Sequence, residues 1–238
     1  MGNMCSSAMA AAENKARDAG MGDMVDKAKD KAADGVPIEY GKTVDIPDLA
    51  LKGGECQIGC KYTCAEGKAV DSQFCAIEFN KKGEKIGCAS YEVNDTPDGA
   101  IKYLGDCWGS NGGEEYVSLK LAGLADDVQA IIFCIYIYDS CTMSDFSELK
   151  LVFKVKAGEE TVVPVAHMLV ADRGTHTGTT TLAIYRDGDK WVAKNVATKG
   201  KGPTNDDMVP ACKALFGDVG VDVPPEPAAD PADVGVEA

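Results

Sequence analysis

Histidine is nearly absent from this chain: 238 residues carry two, His167 and His176. Catalysis through a nucleophile–histidine pair would therefore have to use one of them, within hydrogen-bond reach of a Ser or Cys. His167 falls in a Val/Ala/Met-rich stretch that reads as a strand, and His176 in a polar Gly/Thr loop, DRGTHTGTTT. Basic charge is scarce too. Twenty-four Lys and Arg stand against 38 Asp and Glu, a net charge of −14, which excludes the basic face that nucleic-acid binding needs. No stretch approaches the roughly 18 apolar residues of a membrane span, and the N-terminus lacks the apolar core of a signal peptide. Neither a P-loop nor a G-x-G-x-x-G following a strand is present, so nucleotide chemistry has no motif to stand on.

What is plentiful is β-forming and acidic. Hydrophobic residues make up 45% of the chain, enough for one substantial core with appendages. Ten cysteines are scattered along it rather than packed into a small domain, the usage of reduced thiols serving as small hydrophobes. A cytoplasmic location follows as the expectation. Cys56, Cys60 and Cys64 are spaced by four, unlike the C-x₂-C of zinc sites, and on a strand they span too much length for one tetrahedral ion.

Three regions are expected. In the N-terminal extension, 1–41, Met21, Met24, Val25, Ala28 and Ala32 recur at helical spacing opposite Asp26, Lys27, Asp30 and Lys31. The extension opens MGNMCSS, which fits the myristoylation pattern at Gly2, with Cys5 placed for a second, palmitoyl anchor. Anchoring to the cytoplasmic face of a membrane and a chance match both remain open there. From 42 to 202 the pattern turns β. Leu149, Leu151, Phe153 and Val155 alternate with Lys150, Lys154 and Lys156, as do Val117, Leu119 and Leu121 with their polar neighbours. Ala130–Tyr138 (AIIFCIYIY) is apolar throughout and predicts a central strand covered on both faces. About ten short strands separated by turn signals predict an all-β, two-sheet antiparallel sandwich. The last region, 203–238, begins with a short helix expected over 206–216. It ends in an acidic Pro/Ala-rich tail too poor in apolar residues to order itself. From Pro203 onward there are eight acids against Lys213 alone, a net of −7.

The chemistry-bearing segment is TPDGAIKYLGDCWGSNGGEEYVSLKL, residues 96–121. Asp106, expected in a Gly105–Gly109 loop, and Glu114 and Glu115, opening the next strand, are hard oxygen ligands set among glycines. Asp71 opens another strand. Carboxylates gathered at one edge of a sandwich suit Ca²⁺, which takes six to eight oxygens in flexible geometry. The same residues would equally serve as solvated loop acids in an acidic protein.

The words GGECQIGCKY, DSQFCAIEFNKKGE, TPDGAIKYLGD, GGEEYVSLKL, VQAIIFCIYIY and IYRDGDKW, in that order over 43–202, resemble the TerD-type tellurite-resistance and stress-protein family. The resemblance implies a calcium-binding β-sandwich without catalytic activity, associated with stress responses and membrane-proximal complexes. Its metal ligands would fall on Asp71, Asp106, Glu114 and Glu115. Four positions depart from the family words. The second Asp of D-L-D is Gln73 here, and an acid of G-D-D-E is Gly113. The Asn of G-D-N is Cys107, and the Trp-Asp after the first strand is Tyr62-Thr63. Lost anionic ligands weaken Ca²⁺ binding. Two functions follow as expectations: a Ca²⁺-responsive, membrane-anchored binding module, or a structural subunit with largely lost metal sites. The second would contact other proteins, or copies of itself, through its terminal extensions.

Overall fold

The computed structural model describes residues 35–109, 112–157, 161–170 and 173–222, with the backbone alone over 106–109, 157 and 161–162. Gly2, Cys5, the N-terminal helix and the acidic tail after 222 lie outside the described residues. In chain order the strands are β1 (Val36–Pro37), β2 (Thr43–Asp45), β3 (Glu55–Cys64), β4 (Ser72–Asn80), β5 (Lys85–Ala89), β6 (Ile101–Gly109) and β7 (Gly112–Leu119). They continue with β8 (Val128–Ile137), β9 (Phe146–Ala157), β10 (Thr161–Leu169), β11 (Gly178–Asp187), β12 (Lys190–Asn195) and β13 (Lys199–Gly200). Two helices of one turn, α1 (Asp48–Leu51) and α2 (Val209–Lys213), interrupt the β pattern.

These strands form two sheets. Sheet A has the order β1-β10-β9-β3-β7-β6, and sheet B the order β2-β12-β11-β8-β4-β5 with β13 on β11. All neighbours are antiparallel except β1, which runs parallel to β10. The sequence periodicity explains how the sheets face each other. Leu149, Leu151, Phe153 and Val155 of β9 and Ile58, Cys60 and Tyr62 of β3 enter the core. Facing them are Phe74 and Ala76 of β4 and Ile131, Phe133 and Ile135 of β8. Cys56 and Cys60 are therefore packing residues, as their spacing predicted.

Sheet B carries a third layer. The other face of β8 (Ala130, Ile132, Cys134 and Tyr136) is buried together with Cys75, Ile77 and Phe79 of β4. What covers them is the segment after 202: Met208, Ala211 and Cys212 around α2, then Leu215, Phe216 and Val219. β8 is thus covered on both faces, as its unbroken apolar run requires. The covering helix is shorter than the expected 206–216. Pro210 sits in its first turn, where a missing N–H is harmless. Past Lys213 the chain tightens into a 3₁₀ turn over Phe216–Val219 and stops at Gly220 in the left-handed conformation. Phe216 meets Phe79 edge-on at 5.0 Å between ring centres, and Lys85 of β5 reaches both Asn205 and Asp206. The outer face of sheet A has no such cover among the described residues and bears Lys61, Lys150, Lys154 and Lys156 at partly exposed positions.

Candidate functional site

The β6–β7 hairpin decides how the acidic segment can act. Asp106 lies in β6 and not in a loop, directly opposite Glu115 of β7 in register. The expected glycine loop is instead a bulge. The register shifts between Tyr103 and Asp106, and Gly105, at φ +96°, takes up the extra residue. Pairing then continues through Trp108–Gly113 to the hairpin end.

The pleat separates the two glutamates. Successive residues of a strand point to opposite faces. Glu115 shares its parity with Val117 and Leu119 and enters the core, where it is 1% exposed. Its carboxylate accepts the Phe74 backbone N–H of β4 at 2.8 Å and the Tyr103 hydroxyl at 3.1 Å, with the Ser72 hydroxyl at 3.4 Å. Phe74 lies beyond the reach of β5, whose pairing with β4 starts at Ala76. Glu115 therefore accepts a β4 donor that has no β5 partner, and it ties sheet A to sheet B. Glu114 stays on the outer face, 3.3 Å from the Lys61 ammonium, and accepts the Tyr116 hydroxyl at 3.1 Å. The Tyr116 ring folds across Gly59, where any Cβ would strike it.

Asp71 precedes β4 and is exposed. Its N–H donates to the Asp139 carboxylate at 3.1 Å, and its carbonyl accepts from Tyr138. Chain continuity puts it beside Ser72, and hence near Glu115. The structure thus gathers Asp71, Asp106 and Glu115 toward one end of the sandwich and leaves Glu114 on another face. Among the described residues no three His, Cys, Asp or Glu side chains are grouped as a metal ion would need. The Glu115 oxygens already serve protein donors, and the Asp106 side chain lies outside those described, so the described donors alone are too few for a Ca²⁺ shell of six or more oxygens.

Sequence reasoning missed Ser72 and Tyr103, the partners that decide what Glu115 does. The signal was the parity of Glu115 with Val117 and Leu119. It also missed Glu78, the other acid of the sandwich interior, at 2% exposure. Glu78 packs its carboxylate against Gly87 of β5, leaving one oxygen without a hydrogen-bond partner among the described residues. Burial first, then the charges of Asp98 and Asp127, push its carboxyl up to about 8.

The T-P-D-G word is architectural. Burial opposes ionisation of Asp98, but bonds from the Thr96 hydroxyl and the Ala100 and Ala125 N–H groups outweigh it and hold its carboxyl below the usual range. Those bonds, at 2.7, 2.9 and 2.9 Å, lock the turn into β6. His167 donates from Nδ1 to the Gly35 carbonyl at 3.2 Å and so ties β10 to the start of β1. The His176 backbone carbonyl accepts from Met143 in the loop ahead of β11.

Comparison with known proteins agrees with this architecture. The TerD domain matches residues 35–206. No curated protein matches the chain. A solved protein of unknown function, SAV2460, superposes with a TM-score of 0.54 at 16% identity, covering 67% of this chain and 97% of its own. A homologue of the telluride resistance protein (TerD), SCO6318 from Streptomyces coelicolor A3(2), gives 0.50 at 13% identity, covering 66% and 95%. At these identities the likeness is one of fold. The domain match, which spans well over half of the sequence, settles the matter: this chain belongs to the TerD domain family.

Proposed function

We propose that this chain is a non-enzymatic binding module of the TerD family that works by contact, as a docking or assembly subunit. One observation carries the reading: Glu115, the innermost of the implied metal ligands, spends its carboxylate on Phe74, Tyr103 and Ser72. A side chain so employed links two sheets and is not poised to bind an ion. TerD domains are not a known enzyme class. The open outer face of sheet A, with its row of lysines, offers a surface for an acidic partner. The N-terminal extension and acidic tail would serve as contact arms.

A second reading draws support from the placement of Asp71 and Asp106 toward the same end of the sandwich as Glu115. It is a Ca²⁺-responsive module, held at a membrane surface through Gly2 and Cys5. Calorimetric titration with Ca²⁺ separates the two. The contact reading expects no heat and no thermal shift at millimolar Ca²⁺. Micromolar binding that is lost in Asp71→Asn would overturn it in favour of calcium. Sedimentation of the native protein tests self-assembly, and a strict monomer at tens of micromolar leaves only contacts with other proteins.

A further inference from the structure

Four of the chain's thiols meet beneath the C-terminal cap. Cys75 of β4, Cys134 of β8, Cys88 of β5 and Cys212 of α2 all belong to the apolar layer between sheet B and the segment that covers it. Cys75 and Cys134 stand opposite each other in register. Cys134 and Cys212, 78 residues apart in sequence, bring their sulfurs to 3.5 Å. That contact joins two layers which otherwise meet here through apolar packing.

We infer that Cys134 and Cys212 are an oxidation site, closing to a disulfide that staples the C-terminal cap onto sheet B. The sulfurs need to approach by about 1.5 Å to reach the bonding distance near 2.05 Å. α2 can supply that movement, since no strand ladder fixes it to the sheet. Cys75 and Cys134 also face each other across the β4–β8 ladder, at a spacing a disulfide can span, but that link would leave the cap unstapled. Around the pair, the thiols of Cys134 and Cys88 donate toward Cys75 and hold it below the usual thiol range. Burial first, then the contact with Cys212, holds Cys134 above that range.

The oxidant is a hydroperoxide. One sulfur of the pair, as thiolate, attacks a peroxide oxygen, and the O–O bond breaks. Hydrogen peroxide then leaves one water and a sulfenic acid. The second sulfur displaces the sulfenic hydroxyl as water, and the S–S bond forms. Two electrons and two protons from the thiols reduce one hydrogen peroxide to two waters. In a reducing environment the thiols simply pack. Under peroxide the cap is locked, and the apolar face of sheet B under it, with Ile77, Phe79, Ile132 and Tyr136, can no longer be uncovered.

The test uses the full chain, treated with hydrogen peroxide, then alkylated, digested and mapped by mass spectrometry. The expected result is a single linked peptide joining Cys134 to Cys212, a melting temperature raised by about 5 °C or more, and reversal of both by dithiothreitol. Cys212→Ala is expected to abolish the link and the shift, and Cys88→Ala to keep them. Since Cys212→Ala also removes packing, its reduced melting temperature is the reference for its oxidised one. Free, alkylated Cys134 and Cys212 after peroxide treatment overturn the inference, as does a Cys75–Cys134 link in place of the expected one.

Discussion

Glu78 and Glu115 are both buried carboxylates of the sandwich interior, and their partners give them opposite consequences. Glu115 has donors from two sheets. Removing it in Glu115→Ala strands the Phe74 N–H and the Tyr103 hydroxyl in a dry interior, a loss of about 2–4 kcal/mol. Urea unfolding with an unchanged m-value is the measurement. Glu78 has burial and two neighbouring carboxylates against it, and its folded-state carboxyl titrates near 8 rather than near 4.5. The sign follows from proton counting. Between about 4.5 and 8 the folded chain retains a proton that the unfolded chain has released, so stability falls as pH rises through that window. Glu78→Gln removes this dependence. In thermal melts the variant is expected to exceed the wild type by a few kcal/mol, on the order of the shift, above pH 8. The gap should close toward pH 4.5; one that stays constant with pH contradicts this role for Glu78.

At the scale of elements, the β6–β7 hairpin shows how a strand pattern can be read correctly while a bulge within it is taken for a loop. The alternation of Val117, Leu119 and Leu121 predicts β7 and its inward face, and β7 is there. The same alternation, carried two residues back, assigns Glu115 inward and Glu114 outward, which already divides the expected ligand set. The glycines around Asp106 signalled a loop, yet they are used for a bulge within β6. Gly105 stands at φ +96° with open space where a Cβ would go, so Gly105→Ala is strained by its backbone alone. A loss of about 1 kcal/mol is expected by chemical denaturation, with the fold retained. A loss above about 3 kcal/mol would mean that the bulge positions more than the hairpin.

At the scale of the whole molecule, the described residues form a sandwich plus a lid, and the lid is the larger surprise. The sequence predicted a short helix over 206–216 ahead of an acidic tail but not what its apolar side meets, and residues 203–222 supply a third layer on sheet B. Phe216 is fully buried there against Phe79. Phe216→Ala is expected to lower stability by about 3–5 kcal/mol, read by thermal or urea unfolding. A further expected sign is binding of a hydrophobic dye at denaturant concentrations where the wild type binds none, because the face of sheet B opens when the lid loosens. Unchanged stability would place the lid outside the cooperative unit.

The β character of the chain and the alternation of its main strands were legible along the chain itself. Period-two alternation and the unbroken apolar run of β8 depend only on which side chains must leave water, and that is a local property. Family membership was legible too, since it rests on words in order. Three matters waited for the tertiary structure. Glu115 became a link between sheets because Ser72, Phe74 and Tyr103 arrive from β4 and β6, at sequence separations of 43, 41 and 12 residues. The tail segment became a layer because sheet B had an apolar outer face to cover. The thiols became a cluster because β4, β5, β8 and α2 converge on that face. In each case the deciding quantity was burial against a distant partner, and hydrophobic pattern alone tells that a side chain is buried without telling what it meets.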